Sequence, residues 1–326
     1  MSDNAVDIVI STYRSGGRLH RTIESILQSS YQNFTLWVLD QNEHDQMECG
    51  IAGLAADPRI RYLRVPLSGI AATRNRGAAM GSAPYILFTN DDCTVDPEWI
   101  GSLVAELSAS DCWAAFGRVL AGPQPQATVE ALALKPSRER RVYHHQRFNL
   151  GFGHGHNMGV RRQRFEELGG FDELLGGARL PGSGRPLGAW EDRDLGYRVL
   201  RRGGTIVYTP HAVVYHHHWQ NWKGARRSYR SYGIGSGAAV AKYLRCGDPA
   251  AIWILFEWQF SQGLRQILSG LFKWHSLGKV SVGLTQLIYP WVGLARGLRY
   301  PCDRQRILYR RPPTLTSATG NGMHHA

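Results

Sequence analysis

Two rhythms of apolar residues alternate along the first hundred positions. Val6-Asp-Ile-Val-Ile10 is a short run without helical period, Leu19, Ile23, Ile26 and Leu27 recur at helical spacing, and Phe34 to Leu39 is again extended and ends on Asp40. Strand, helix and strand in that order predict a β-α-β unit with a right-handed connection. Arg61 to Val65 predicts a short third strand and Ile70 to Met80 a helix carrying Arg74, Asn75 and Arg76 near its start. Pro97 to Leu107 predicts another helix, its proline placed where the first turn needs no N–H donor. Between those two helices runs Tyr85-Ile-Leu-Phe-Thr-Asn-Asp-Asp-Cys93, apolar and β-branched residues halted by two adjacent carboxylates. That is the pattern of a strand buried on both faces.

A doubly wound α/β sheet of this kind opens its ligand crevice beyond the carboxyl ends of its strands. The residues delivered there are Thr12, Tyr13, Asp40, Asn90, Asp91 and Asp92, and a nucleotide fits such a crevice. Side by side, Asp91 and Asp92 repel one another unless a cation joins them. A hard divalent ion, Mg²⁺ or Mn²⁺, takes oxygen ligands and commonly bridges carboxylates to substrate phosphates. The plainer alternative is a solvated junction of strand and turn, with Asp96-Pro97 opening the next helix. No GxGxxG follows the first strand, so the dinucleotide fingerprint is missing. The glycines of 151–155 and 233–237 read instead as loop and helix-packing residues.

The second half has its own acidic pair. Leu195 and Val199 stand three and seven residues beyond Asp192 on one helical face, with Arg198, Arg201 and Arg202 elsewhere around it, so Glu191 and Asp192 open a helix anchored in the core. Complementing the helix dipole would be reason enough for acids there. Just before them Gly176 to Gly188, dense in Gly, Pro and Ser and carrying Arg179 and Arg185, predicts either a loop that closes over a ligand or an idle connection. Val213 to Tyr215 predicts a strand that leads into His216-His217-His218, a tract in which only His216 and His218 can share a side.

Past residue 220 the pattern changes. Tyr229 to Leu244 predicts a helix whose Gly233, Gly235, Gly237, Ala238 and Ala239 let a neighbour come close. From Ala250 to Ala295 Trp, Leu, Ile and Phe dominate, broken by Glu257, Arg265, Lys273 and Lys279. The longest uncharged run, Val280 to Ala295, has 16 residues and contains Pro290, short of the ~20 that a spanning helix needs. Two readings stay open: helices lying in the membrane interface with Trp253, Trp258, Trp274 and Trp291 at headgroup depth, or a bundle packed on the first domain or on a second copy as a dimer.

Charge sharpens this picture. Of the net +12, the chain from Lys223 onward contributes 15 Lys and Arg against three acids, whereas the first 222 residues hold 23 of each sign. A basic tail seeks phosphates, which an anionic membrane surface supplies. With 326 residues, 43% of them hydrophobic, there is chain for one large domain with an appendage or for two domains. Five widely spaced cysteines without CxxC argue against a disulfide framework or zinc site and for a reducing compartment. Val6 to Ile10 is too short an apolar run for a signal peptide, so the expected location is cytoplasmic, peripheral on the inner face of the membrane if the tail binds lipid. Residues 312–326 are expected to be disordered.

Taken in order, Ile8-Val-Ile-Ser-Thr-Tyr13, Val38-Leu-Asp40, Ala72-Thr-Arg-Asn-Arg-Gly77, Phe88-Thr-Asn-Asp-Asp-Cys93, Asn157-Met-Gly-Val-Arg-Arg162, Leu168-Gly-Gly-Phe-Asp-Glu173, Trp190-Glu-Asp-Arg-Asp-Leu195 and Val213-Val-Tyr-His216 resemble the family 2 glycosyltransferases. The resemblance implies a GT-A fold, a Rossmann-like mixed sheet flanked by helices, over 1–220, with a nucleotide-binding half at 1–110 and an acceptor half at 111–220. A basic, Trp-rich C-terminal α-helical extension would follow at 221–311. The implied activity is inverting, metal-dependent transfer of a sugar from a nucleotide-sugar donor, UDP above all, to a hydroxyl acceptor on a lipid-linked or cell-surface glycan. No nucleic-acid partner is expected.

By the same likeness Thr12, Tyr13 and Asp40 would hold the base with help from Arg74, and Asn90-Asp91-Asp92 would be the DXD-type element. Because Asn90 replaces its first acid, the Mg²⁺ or Mn²⁺ would fall mainly to Asp92, with Asp91 nearer the ribose; His216 would be a further ligand of metal or diphosphate. Asp192 of the Glu191-Asp192 pair would be the general base. His154 and His156 would line the acceptor side or only fill their loop. The second acid expected after Asp40 is replaced by Gln41 and Asn42, which leaves the base identity open. Two other classes remain: a nucleotidyltransferase, which wants a glycine-rich phosphate loop that is missing here, and a non-catalytic phosphate or lipid binder, which leaves Asp40, Asp92 and Asp192 at successive element ends unexplained.

Overall fold

The computed structural model describes residues 4–310 apart from 16, 44–52, 55, 110, 127–128, 145–149 and 177–186. The first β-α-β unit is β1 (Val6–Thr12), α1 (Arg18–Leu27) and β2 (Phe34–Asp40). It is followed by β3 (Ile60–Arg64), α2 (Ile70–Met80) and β4 (Tyr85–Asn90). β1 lies parallel between β2 and β4, with Thr12 beside Asp40 and Ser11 beside Asn90. That common register brings the strand ends to one edge. Side chains of β1 and β4 alternate between two apolar cores, Val9 and Phe88 in one, Ile8 and Leu87 in the other. Burial on both faces is why their sequences are continuously apolar.

Next come β5 (Cys93–Val95), α3 (Trp99–Ser108), β6 (Cys112–Ala121), β7 (Glu130–Ala131), β8 (Arg141–Tyr143) and β9 (Met158–Arg161). α4 (Arg162–Glu167), α5 (Glu191–Arg201), β10 (Thr205–His216) and β11 (Trp219–Gln220) complete this part. α3 begins two residues later than the apolar pattern predicts, because Asp96 makes a turn of its own: its side chain accepts from the Glu98 N–H and its carbonyl from the Trp99 N–H. Among the described residues the main sheet has nine strands, in the order β3-β2-β1-β4-β9-β6-β10-β5, with β8 paired to β10. It is mixed: β9 runs antiparallel to both β4 and β6, and β5 antiparallel to β10.

The chain then forms α6 (Trp222–Arg245), a helical segment over 249–273 that alternates between α and π turns, α7 (Leu277–Gly297), and a hairpin of β12 (Cys302–Asp303) and β13 (Leu308–Tyr309). α6 starts seven residues before the predicted helix because Asn221 caps it, accepting from the Gly224 N–H at 2.9 Å. Its small residues work as expected. A Cβ on Gly237 would collide with the Pro290 carbonyl of α7, and one on Gly235 with the backbone of Ala189. Ala238, Ala239 and Tyr243 of α6 belong to the same core as Phe116 and Phe152, so this helix is packed on the sheet domain. No helix among the described residues is long and apolar enough to cross a membrane.

A buried ionic cluster joins these parts. Lys242 of α6, fully buried, places its Nζ 2.5 Å from Asp172 Oδ2 and 2.7 Å from Asp194 Oδ1. Arg198 was expected away from the core face of α5; it is buried too, and its Nε donates to Asp194 Oδ2 at 2.9 Å while its terminal nitrogens donate to the Leu168 and Gly170 carbonyls. Tyr243 Oη donates to Asp194 Oδ1, and the Tyr309 N–H donates to Asp172 Oδ2. Burial, the largest influence on Asp194, raises its pKa, yet Lys242 and Arg198 together bring it below the ordinary value. Removing one partner of such a pair costs about 3–5 kcal/mol because the other charge stays buried. Lys242→Met is expected to lower the unfolding free energy by about that amount in denaturant titration.

Candidate active site

Three acids open α5, and the helical turn sends them in three directions. Asp194 enters the cluster just described. Glu191 is buried with Oε1 3.3 Å from Arg74 Nη1. Asp192 faces a cavity of about 460 Å³, lined also by Arg74, Asn90, His154, His156 and Glu191. Its carboxylate is oriented by two backbone donors, the Gly155 N–H on Oδ2 and the Arg193 N–H on Oδ1, each at 2.7 Å. Gly155 allows this approach because a Cβ there would press on Arg74 and on the Asp192 side chain.

Arg74 is wholly buried, its guanidinium beside the Phe88 and Phe171 rings at 5.9 and 5.7 Å from their centroids. Besides Glu191 it donates from Nη2 to Asn90 Oδ1 at 2.8 Å, which commits that amide oxygen to the arginine. Burial first, and the charge of Asp192 second, push Glu191 up to about 7 despite the opposing pull of Arg74. Asn90 ends β4, and the two carboxylates after it are settled differently. Asp91 accepts the Thr12 hydroxyl at 2.6 Å, yet burial, with the charge of Asp92 adding to it, pushes it up to about 6. For Asp92 burial is again the largest influence, but His216 and His218 outweigh it and hold the carboxyl well below its ordinary value.

The histidine tract divides as an extended chain requires. His217 turns to Thr94 Oγ1 at 3.0 Å, while His216 Nε2 lies 3.4 Å from Asp92 Oδ1 and His218 Nδ1 3.2 Å from Asp92 Oδ2. The rings of His154, His156, His216 and His218 stack in a column with successive centroids 5.5, 4.1 and 5.3 Å apart. The column runs from the cavity wall to Asp92. Nothing in the spacing of residues 154 and 156 announces it, since it depends on a long-range contact between the glycine-rich loop and β10.

The remaining expected residues lie at the outer edge. Tyr13 is exposed, with the Arg14 guanidinium over its ring. Asp40 is buried in its own turn, Oδ1 accepting from the Asn42 N–H and Nδ2 and Oδ2 from the Tyr62 hydroxyl. Gln41, where a second acid was expected, donates to Ser11 Oγ and accepts from the Ser68 and Gly69 N–H groups, tying β2 to the start of α2. Most of Gly176 to Gly188, with Arg179 and Arg185, lies outside the described residues, as does 312–326. Gly176 and Ala189, which flank it, are bridged.

Asp92 and His216 fit a divalent ion. With Cys93 they form a group whose ligand atoms lie within 4.8 Å of one another, but burial holds the Cys93 thiol well above its ordinary value and so protonated, a poor ligand. His216 Nδ1 sits 3.0 Å from the Leu132 carbonyl, which can only accept, so Nδ1 carries a proton and Nε2 is the ring nitrogen left to face Asp92. That contact is satisfied by a proton on Nε2 or, in its place, by a cation between nitrogen and carboxylate. Carboxylate with imidazole suits Mn²⁺ better than Mg²⁺.

The chain belongs to glycosyl transferase family 2, whose family model matches residues 7–169, half of its length. It is 24% identical over 180 residues to the glucosyl-dolichyl phosphate glucuronosyltransferase of Haloferax volcanii, covering 52% of this chain and 57% of that protein. It is 27% identical over 251 residues to the pre-mycofactocin glycosyltransferase of Mycobacterium tuberculosis, covering 74% and 48%. The chain thus spans about half the length of the curated relatives it matches. Among solved structures, S. aureus TarS 1-349 superposes with a TM-score of 0.49 at 13% identity over 71% of this chain and 65% of that one. Among the described residues the fold itself is a nine-stranded mixed sheet flanked by helices, with further helices after it.

Because Glu191 holds its proton more tightly when folded than the ordinary value of 4.5, its contribution to stability is complete below pH 4.5 and is lost as pH rises through about 7. Glu191→Gln should therefore gain stability relative to the parent protein across that window, by on the order of 3 kcal/mol, with no further change above it. Thermal melts at half-unit pH steps measure this.

Proposed function

We propose that the protein transfers a sugar with inversion from a nucleotide-sugar donor, UDP most of all, to a hydroxyl acceptor on a glycan or lipid-linked glycan. The observation that carries this reading is the Asp192 carboxylate, held by two backbone N–H groups at the mouth of a rigid helix and facing a cavity that Arg74 and Asn90 also line. A carboxylate fixed in this way can take the acceptor proton as the hydroxyl oxygen bonds to the anomeric carbon. The bond from that carbon to the diphosphate then breaks from the opposite face, and its electron pair leaves with the diphosphate oxygen. Asp92 and His216 would hold Mn²⁺ or Mg²⁺, which supplies countercharge to the leaving diphosphate. Thr12, Tyr13, Asp40 and Asp91 would meet the nucleoside, and buried Arg74 would add positive charge between donor and base. Glu191 would keep Arg74 in place.

The same reading gives the C-terminal helices an anionic membrane surface as partner. Phe272, Trp274 and Leu277, at the turn between the 249–273 segment and α7, are 77, 58 and 83% exposed. Lys273 and Lys279 lie over the Trp274 ring, 5.5 and 4.9 Å from its centroid. Apolar tips flanked by cations match the boundary between acyl chains and anionic headgroups.

Calorimetric titration with UDP, GDP and dTDP, each with Mn²⁺ and with EDTA, should find one nucleotide bound only with metal; failure of all three would overturn the reading. Asp192→Asn should keep that binding while release of nucleoside diphosphate from the matching nucleotide sugar falls about 10²–10⁴-fold. Co-sedimentation should occur with phosphatidylglycerol vesicles and not with phosphatidylcholine ones, weaken with salt, and drop about tenfold in a Phe272→Ser, Leu277→Ser double variant. A protein that stays in the supernatant and elutes as a dimer would assign this face to a second copy.

A further inference from the structure

Part of the cavity wall is built by the C-terminal extension. Tyr229 and Tyr232 of α6 and Gln262 of the helical segment after it line the same cavity as Asp192. The tyrosines stand three residues apart, so they share a helix face, and their rings meet edge to face with centroids 6.0 Å apart at 86°. Both are only half-buried, and neither hydroxyl has a hydrogen-bond partner among the described residues. Burial, with Tyr229, Asp192 and Glu191 adding to it, raises the Tyr232 phenol, which therefore stays neutral beside the acidic pair.

Two further observations mark this as a built surface. His156 is 95% buried, lines the cavity and has an Nε2 atom without a hydrogen-bond partner. Ala133, on the wall facing α6, has φ +56°, a left-handed conformation that costs a non-glycine residue energy and is held only where the surroundings impose it.

We propose that this wall is the acceptor subsite and that it takes a neutral pyranose ring, packed against Tyr229 and Tyr232 with its hydroxyl groups bonded to the two phenols, to the Gln262 amide and to His156. The inference rests on the glycosyltransferase reading and deepens it by naming the residues of this chain that hold the acceptor and by requiring an uncharged sugar ring there. The chemistry favours a sugar over a phosphate or a charged peptide. The wall offers aromatic faces, phenols, an amide and imidazole edges, while the nearest guanidinium groups are engaged: Arg74 by Glu191 and Asn90, Arg193 by the Trp190 ring at 4.8 Å. Faces of C–H groups ringed by hydroxyls match aromatic rings that carry a polar tip.

The test uses the full chain, with Mn²⁺ and each of UDP, GDP and dTDP and without nucleotide, and reads binding of methyl β-D-glucopyranoside, methyl β-D-galactopyranoside and methyl α-D-mannopyranoside by saturation-transfer NMR. Octyl phosphate and a Ser/Thr peptide serve as comparators. At least one pyranoside should bind, its affinity falling about tenfold in Tyr232→Ala and about threefold in Tyr229→Phe or Tyr232→Phe. Nucleotide affinity, measured on the same samples, reports the donor half and the fold. Should Tyr232→Ala fail to fold, Tyr232→Phe carries the comparison alone. Pyranosides that do not bind, or that bind the tyrosine variants as well as the parent, would overturn the subsite even where a nucleotide binds; so would preference for octyl phosphate or the peptide. Absence of any nucleotide binding, with pyranosides still sensitive to Tyr232, would instead sink the transferase reading and leave the sugar site standing.

Discussion

The ammonium of Lys242 is the point on which the geometry of this molecule depends. It lies out of reach of water between Asp172 and Asp194, and with Arg198 it balances two buried acids by two buried cations. Each ion would be costly alone, so the elements that carry them are bound to a single arrangement: the turn before the glycine-rich segment, the helix that begins with Glu191, and the helix that begins at Trp222. Because Asp194 is held in this way, the first turn of its helix is fixed, and Asp192 can face a cavity without itself being neutralised by a side chain.

Acids near the cavity are stabilised by different means, and the differences define their chemistry. Asp91 has a hydroxyl donor and a raised pKa, Asp92 two histidines, Glu191 a guanidinium, Asp192 only backbone N–H groups. A carboxylate held by amides keeps its charge in a fixed direction while remaining free to accept a proton. One held by imidazoles is positioned beside nitrogen lone pairs, where a divalent ion is at home. The parallel register of β1 and β4 brings Thr12 to Asp91, and Arg74 ties Asn90 at the end of β4 to Glu191 of α5, so the two acidic pairs are joined through one guanidinium.

Much of this was legible in the sequence because it follows local periodicity. The strand before Asp91 and Asp92, the helix after Glu191, the shared side of His216 and His218 and the packing role of Gly233, Gly235 and Gly237 all come from spacings of two or of three and four residues. Lys242 and Arg198 were not legible, since a charged residue at a core position looks like a solvent-facing one until its partners, up to seventy residues away, are known. The histidine column and the tyrosine wall escaped for a related reason. Each is assembled from segments that local pattern assigns to different parts of the chain, a loop with a strand in one case and an appended helix with the cavity that Asp192 faces in the other.

The helix from Trp222 to Arg245 has two faces under unequal constraint. Gly235 rests against the backbone of Ala189 and Gly237 against that of Pro290, where no side chain at all can be accommodated. Tyr229 and Tyr232 line the cavity beside the acidic pair while their rings also pack on the cores beneath the helix. Over evolutionary time the first face can hardly drift, whereas the second can exchange one ring for another of similar size without disturbing how the helix is seated. A lineage could in this way keep its fold intact while altering what the cavity admits, the innovation being confined to a few positions along a rail that cannot move.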